Sequence, residues 1–329
     1  MKRRTAVMGM AGLAFAPMIG RAQQGQKLWR IGVLLPGVAP PSLAGDAVYG
    51  HFVKALAEQG YAEGKNLRFE VRSLDGKYER AAPLAEELVL AKVDLILAAT
   101  PPSVQAVKRA TTTIPIVMVA VGDPVALGFV ASYARPGGNV TGVSNAIDDV
   151  SSKYLELLRA ANPKLQRVAV LVNPDNPNVP KILGQIQASA KIMKMDVMPM
   201  PARTAEQISE AIPAASQRHA QALIVQADGF FFSQRQLIVD LTTKHRMASI
   251  WWTREAVEIG ALMSYGQNAA DDYRKVARYV VRILTGTKPA DLPVEQPTHL
   301  KFTLNRKTAA ALGLSVTQEL LLRADDVIE

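Results

Sequence analysis

The chain has 329 residues, a formal charge of +9 and no cysteine. That length suits two domains rather than one small core, and the missing cysteines exclude disulfides, thiolate catalysis and cysteine-ligated metals. About half of the residues (49%) are apolar and occur in short runs, the composition of a well-cored globule, and none of these runs reaches the length of a membrane span.

The N-terminus reads as a leader. Lys2-Arg3-Arg4 forms a positive start, Val7 to Ile19 an apolar stretch too short to span a bilayer, and Gly20-Arg21-Ala22 puts small residues where a signal peptidase reads them. Residues 1–22 are therefore expected to be a signal peptide, with either general secretion or the twin-arginine route open to it. Without a cysteine after the apolar stretch there is no lipid anchor, and the expected location is the bacterial periplasm. Beyond the leader, 34 basic residues face 29 acidic ones in an interspersed pattern. No basic block interleaved with aromatics occurs, so a nucleic-acid partner is not expected.

From residue 28 the chain alternates strand and helix. LWRIGVLLP (28–36) is an apolar strand. Residues 45–59 place Val48, Phe52, Val53 and Leu56 at helical spacing and stop at Gly60. NLRFEVRS (66–73) alternates as a strand, and 83–92 is helical. VDLILAA (93–99) is a buried strand, and 100–110 opens a helix with proline in its first turn. IPIVMVAV (114–121) and NVTGVS (139–144) are further strands. The pattern then restarts about 130 residues later. The strand at 28–34 recurs as LQRVAVL (165–171), ILAAT as LIVQAD (223–228), IPIVMVAVGDP as MASIWWTRE (247–255), and GGNVTGVS as GALMSYGQ (260–267). Four matches in the same order predict two similar lobes.

Unbroken Val/Ile/Leu strands separated by amphipathic helices imply parallel sheets covered on both faces. The expected fold is α/β, with two doubly wound parallel-sheet lobes and a ligand cleft between the carboxyl ends of their strands. The first crossing is expected near 144–150. A helix at 269–285 returns the chain to the first lobe, and the Pro-rich segment 289–297 crosses a third time. Lobe 1 would hold 28–145 and about 266–292, lobe 2 146–265 and about 293–329.

Enzyme signatures are scarce. There is no G-x-S-x-G, no P-loop lysine and no G-x-G-x-x-G after the first strand. His51, His219, His245 and His299 stand far apart, none in a metal spacing. The acidic pairs Asp148-Asp149, Asp271-Asp272 and Asp325-Asp326 sit at helix starts or in the C-terminal tail, where dipole complementation or solvation accounts for them. No cofactor, metal or catalytic residue is expected.

Polar, aromatic and Gly/Pro residues do collect at strand ends: Pro36-Gly37, Thr100 to Ser103, Gly122-Asp123-Pro124, Asn173-Pro174-Asp175, Asp228-Gly229-Phe230 and Trp252 to Glu255, with Tyr265 beyond Ser264. Thr100 is placed to cap a helix whose free amides suit a carboxylate. Asp123 or Glu255 suits an ammonium, and Trp252 or Tyr265 suits stacking on a side chain. Each also has a plain structural role available: Asp123 before proline and Asn173-Pro174 as turn formers, Thr100 as a cap, Glu255 as a first-turn carboxylate. Trp251 and Trp252, as strand neighbours, point to opposite faces, one to core and one to cleft. Phe230, Phe231 and Phe232 suit either core or a ligand wall.

The R-I-G-V-L strand, the V-D-L-I-L-A-x-x-T-P run, the long block from IPIV through VGDPVALGFVASYARPGGNVTG, G-x-L-M-S-Y-G and the tail A-x-x-L-G-L together resemble the solute-binding proteins of ABC transporters. The branch is that of tryptophan- and aromatic-amino-acid-binding-like receptors, and the resemblance spans the whole mature chain. It implies a two-lobed type I periplasmic binding protein with a three-crossover hinge. Such a protein closes on a small solute, amino acid or other small carboxylate, and presents it to an inner-membrane permease, working as a monomer and not as an enzyme. It also implies that Pro36, Gly37, Thr100, Ser103, Asp123, Asn173, Asp228, Glu255 and Tyr265 face the cleft. An alternative with the same cleft is a periplasmic sensing module that feeds a membrane sensor protein.

Overall fold

The computed structural model describes residues 27–145, 150–296 and 300–329. The leader 1–22, Asp148-Asp149 and His299 lie outside the described residues.

In the first half, β1 (Trp29–Leu35), α1 (Tyr49–Glu58), β2 (Leu67–Ser73), α2 (Ala81–Leu90), β3 (Leu95–Ala99), α3 (Pro101–Ala110), β4 (Ile116–Val121) and β5 (Val140–Ser144) follow one another. They build a five-stranded parallel sheet in the order β2-β1-β3-β4-β5. Every residue of β3 is buried, as a central strand covered on both faces must be. One face carries Ile31, Val33, Leu95, Leu97 and Val117 against α1, and the other carries Leu34, Ile96, Ala98 and Met118 against α2 and α3.

The second half begins with α4 (Ser151–Ala161), β6 (Arg167–Val172), α5 (Val179–Ile192), β7 (Asp196–Pro201), α6 (Ala205–Gln217) and β8 (Ala222–Val225). It continues with α7 (Gly229–Ser233), α8 (Arg235–Lys244), β9 (Ala248–Trp251), α9 (Arg254–Glu258) and β10 (Met263–Gly266). Its sheet runs β7-β6-β8-β9-β10, the same order as the first with each strand replaced by its repeat partner. The four sequence matches therefore fall on four equivalent strands.

After β10 the chain returns to the first lobe as α10 (Ala269–Leu284). Tyr273, Val276, Ala277, Val280, Ile283 and Leu284 recur at three- and four-residue steps and are buried. That stripe packs into the first core beside α1. Leu292 to Glu295 then runs along the β5 edge. Thr141 Oγ1 donates to Leu292 O (2.6 Å), Glu295 N donates to Gly142 O (3.0 Å), and Ser144 N donates to Glu295 O (2.9 Å). The first lobe thus keeps the chain through Glu295, three residues past the expected 292.

The tail then forms β11 (Lys301–Asn305), α11 (Arg306–Ala311), α12 (Gln318–Leu322) and β12 (Asp326–Ile328). β11 adds antiparallel to β10, and β12 adds parallel to β11. The second sheet is therefore seven-stranded: β7-β6-β8-β9-β10 are parallel, as expected, and β11 is an antiparallel addition at the β10 edge. Among the described residues no helix is long and apolar enough to cross a membrane.

Candidate functional site

The carboxyl ends of the two sheets face each other and enclose a cavity of about 220 Å³. That volume is below the roughly 300–1,000 Å³ of sites for drug-sized ligands and fits a small solute. The first lobe lines it with Leu35-Pro36-Gly37 after β1, Ala99-Thr100-Pro101 after β3, Val119-Ala120 at the end of β4, and Asn145 after β5. Tyr49 from α1 and Asp272 and Tyr273 from α10 complete that side. The second lobe contributes Tyr154, Asn176, Asn178, Asp228-Gly229, Phe232, Arg235, Trp252 and Gln267. Apolar and aromatic walls with a few polar groups are the usual make-up of a small-molecule site.

Of the ten positions expected from sequence, the cavity gathers Pro36, Gly37, Thr100, Asp228 and Trp252. Trp252 follows β9, half-buried, while Trp251 is fully buried in the second core. The indole rings lie 5.6 Å apart at 35°. Phe230 and Phe231 are core, and only Phe232 reaches the cavity.

The other five do not line it. Ser103 is wholly buried, its Oγ 3.5 Å from Thr100 Oγ1. Asn173 is buried behind the wall and donates to Asp228. Glu255 lines a separate crevice and accepts a hydrogen bond from Thr253 Oγ1. Tyr265 packs against the second core. Asp123 folds back on its own loop, where Oδ1 accepts the amides of Val125 (3.2 Å) and Ala126 (3.0 Å). It is a turn former.

The carboxylate cradle expected at the start of α3 is reduced to the amide of Ser103. The first two positions of that helix are prolines, which have no N–H, and Val104 N already bonds to Thr100 O (3.1 Å). What the segment supplies instead is shape. Pro101 bars Thr100 from the α region, and Thr100 takes φ +74°, rare for a β-branched residue. Ala120, the neighbouring strand end, has φ +57°. Such backbone costs about 1–3 kcal/mol and concentrates at ligand sites.

Asp228 has the densest partner set in the site. It is 3% exposed. Oδ1 accepts from Asn173 Nδ2 (3.3 Å) and Phe230 N (2.9 Å), and Oδ2 accepts from Asn176 Nδ2 (2.9 Å) and Tyr78 Oη (2.9 Å). Burial pushes its carboxyl up, while the hydrogen bonds from Asn176, Asn173, Tyr78 and Phe230 pull the other way. Burial also pushes the Tyr78 hydroxyl well up, so it remains a neutral donor. Since Tyr78 belongs to the first lobe, this bond spans the cleft. Asp228 is thus a strut between the lobes, each of its carboxylate oxygens already accepting two hydrogen bonds.

The lobes meet tightly there. A Cβ on Gly229 would lie 2.5 Å from Pro36 Cβ and Cγ, and one on Gly76 would lie 2.5 Å from Phe230 Cδ2. Only glycine lets the two rims approach so closely.

Sequence reasoning missed Asp272, Arg235, Asn145 and the pair Tyr49–Tyr273, whose rings meet edge to face at 5.0 Å. Asn145 directly follows β5 and so was within reach of the strand-end argument; the others come from helices, and Asp272 is accounted for in the sequence as a helix-start carboxylate. Among the described residues no group of three His, Asp or Glu is placed to hold a metal.

Comparison with known proteins agrees with this geometry. A tyrosine-binding protein of Clostridioides difficile (strain R20291) is 29% identical over 277 residues, covering 84% of this chain and 79% of that protein. The structure of an ABC domain in complex with L-Trp from Streptococcus pneumonia aligns at 26% identity, covering 92% of this chain and all of that one, with TM-score 0.81. A ligand-free, open substrate-binding protein with adhesive properties from Clostridium difficile aligns at 28% identity over 92% of this chain and 99% of that one, with TM-score 0.61. The fold is that of the type I periplasmic binding proteins. Residues 33–328 match the family described as ABC transporter substrate binding protein, so the chain belongs to that family of non-enzymatic binding proteins.

Proposed function

We propose that this protein is an exported receptor that captures one small solute, an aromatic amino acid or a similar small carboxylate, between its lobes and delivers it to the permease of an ABC importer. The supporting observation is the cavity itself. It is enclosed by both lobes, walled by Trp252, Tyr49, Tyr273 and Phe232, and sized for an amino acid. The curated relative is named for tyrosine and the structural one holds L-Trp, which favours the same ligand class. Pro36, Gly37, Thr100, Asp228 and Trp252 would form the wall around the solute. A ligand that touches both lobes favours the closed state by its differential contacts, and the three crossings act as the hinge. We place the mature chain in the periplasm, working as a monomer.

Thermal-shift screening of the mature protein against the amino acids and a set of organic acids tests this. A true ligand at 100-fold above its Kd stabilises by about 2.7 kcal/mol, a shift of several degrees in Tm. No shift with any amino acid or aromatic acid would overturn the ligand class.

A further inference from the structure

Three carboxylates line the cavity, and they differ in what they already hold. Asp228 is saturated by four donors. Asp46 Oδ1 accepts the amides of Val48 and Tyr49, both at 2.8 Å, at the start of α1. Asp272 is only 7% exposed, yet no described residue hydrogen-bonds to its carboxylate. Its one ion-pair partner is Lys275 at 3.8 Å, one turn along the same helix.

On the opposite lobe, Arg235 lines the cavity with its guanidinium 4.4 Å from the Phe232 ring centre, and Nη1 donates to Phe232 O (2.9 Å). No described carboxylate lies in ion-pair range of it. A guanidinium has five donors in a rigid fork suited to a carboxylate, and one bond leaves most of them unused. Close to the first-lobe wall, Asn145 Oδ1 is buried without a partner, an acceptor the protein itself leaves unsatisfied.

We infer that Asp272 and Arg235 are the two poles of an amino-acid clamp: Asp272 receives the ammonium, and Arg235 receives the carboxylate. This deepens the proposed function and rests on it. The poles sit on different lobes, so a zwitterion makes both bonds only when the cleft is shut. The ligand then supplies to Asp272 the donor it lacks. Burial pushes the Asp272 carboxyl up to about 7; Lys275 opposes this, and Asp271 and Glu295 add to it. Glu295 is itself 3.6 Å from Arg278. Asp46 and the tyrosines Tyr49 and Tyr273 are the remaining titratable groups on this side of the cavity, and burial keeps both tyrosines neutral. Lowering the pH through 7 therefore protonates the group that must meet the ammonium.

The test is calorimetry on the mature protein with four probes: L-tryptophan, L-tyrosine, 3-(indol-3-yl)propionate, which lacks the ammonium, and tryptamine, which lacks the carboxylate. A charge-assisted hydrogen bond corresponds to roughly 10–150-fold in affinity. Wild type should prefer the amino acids over both analogues by that factor, and its affinity should fall as pH drops from 8 to 6. Asp272→Asn should lose that factor for the amino acids, keep its affinity for indolepropionate, and become flat with pH. Arg235→Gln should lose it for the amino acids and keep its affinity for tryptamine. Asp272→Asn should melt no lower than wild type at pH 8, because it removes a buried charge. If both variants bind L-tryptophan and L-tyrosine as wild type does, the clamp is overturned and the receptor reading stands. If wild type binds neither amino acid, the receptor reading for this ligand class falls, and the clamp with it.

Discussion

The two rims of the cleft share one topology and handle polarity in opposite ways. The second-lobe rim satisfies its carboxylate from within the protein: Asp228 is bonded by Asn173, Asn176 and the Phe230 amide, and the backbone of Asn173 donates to Gln226 Oε1 (3.2 Å), although Gln226 Nε2 itself has no partner. The first-lobe rim is left open. Its strand ends hold Thr100 and Ala120 at positive φ, its α3 start has proline where donors are expected, Asn145 Oδ1 has no partner, and among the described residues the Asp272 carboxylate has only Lys275, at 3.8 Å. A closed network gives a fixed half-site that costs little to maintain; an open one keeps its unmet bonds for whatever enters. The largest expected effect is therefore on the closed side. Asp228→Ala strands three side-chain donors, those of buried Asn173 and Asn176 and that of half-buried Tyr78 from the other lobe, and a buried donor left unsatisfied costs about 1–3 kcal/mol. Urea unfolding should show a total loss of about 3–5 kcal/mol. A loss under 1 kcal/mol would mean that the network is decoration on an already rigid rim.

The seam between the rims is the next point of attack. Gly229→Ala leaves the second lobe's own structure alone but sets a methyl 2.5 Å from the Pro36 ring across the cleft. Overpacking of this kind costs about 1–3 kcal/mol, and here the cost falls on closure. Ligand affinity should fall about 5–150-fold while the unliganded protein unfolds at nearly the wild-type urea concentration. Solution scattering should show the variant remaining expanded at saturating ligand concentration. Unchanged affinity would show that the lobes close along another path.

The asymmetry explains which features were legible in the sequence. Strand order and the repeat were readable because buried parallel strands demand unbroken Val/Ile/Leu runs, and LWRIGVL and LQRVAVL show that demand directly. The antiparallel β11, Lys301–Asn305, carries no such run and gains its place by pairing with β10. In the site, Pro36, Gly37, Thr100, Asp228 and Trp252 follow strands, so topology alone brings them to the cleft. Asp272 and Tyr273 come from a helix that begins after a crossing, and Arg235 from a helix start. Nothing local distinguishes a cavity carboxylate there from a helix-dipole carboxylate. At α3 the sequence itself limits the expected anion site, since Pro101-Pro102 removes two of the amides and leaves that of Ser103.

Asp123 gives the smallest and sharpest contrast. Sequence places it at a strand end beside Pro124, equivalent by repeat to the Trp252–Glu255 region that does reach the cleft. In the folded chain its carboxylate accepts the Val125 and Ala126 amides, and Leu127 N donates to Asp123 O (3.1 Å), closing a compact turn after β4. A side chain engaged in that way acts as a cap, and its loss costs about 0.5–2 kcal/mol. Asp123→Ala should lower unfolding stability by that amount and leave affinity for L-tryptophan or L-tyrosine within about twofold of wild type. Asp123→Asn, which keeps the accepting oxygen, should recover most of the stability. A large affinity loss in Asp123→Ala with stability intact would return Asp123 to the ligand and show that the β4 turn rearranges when the cleft is filled.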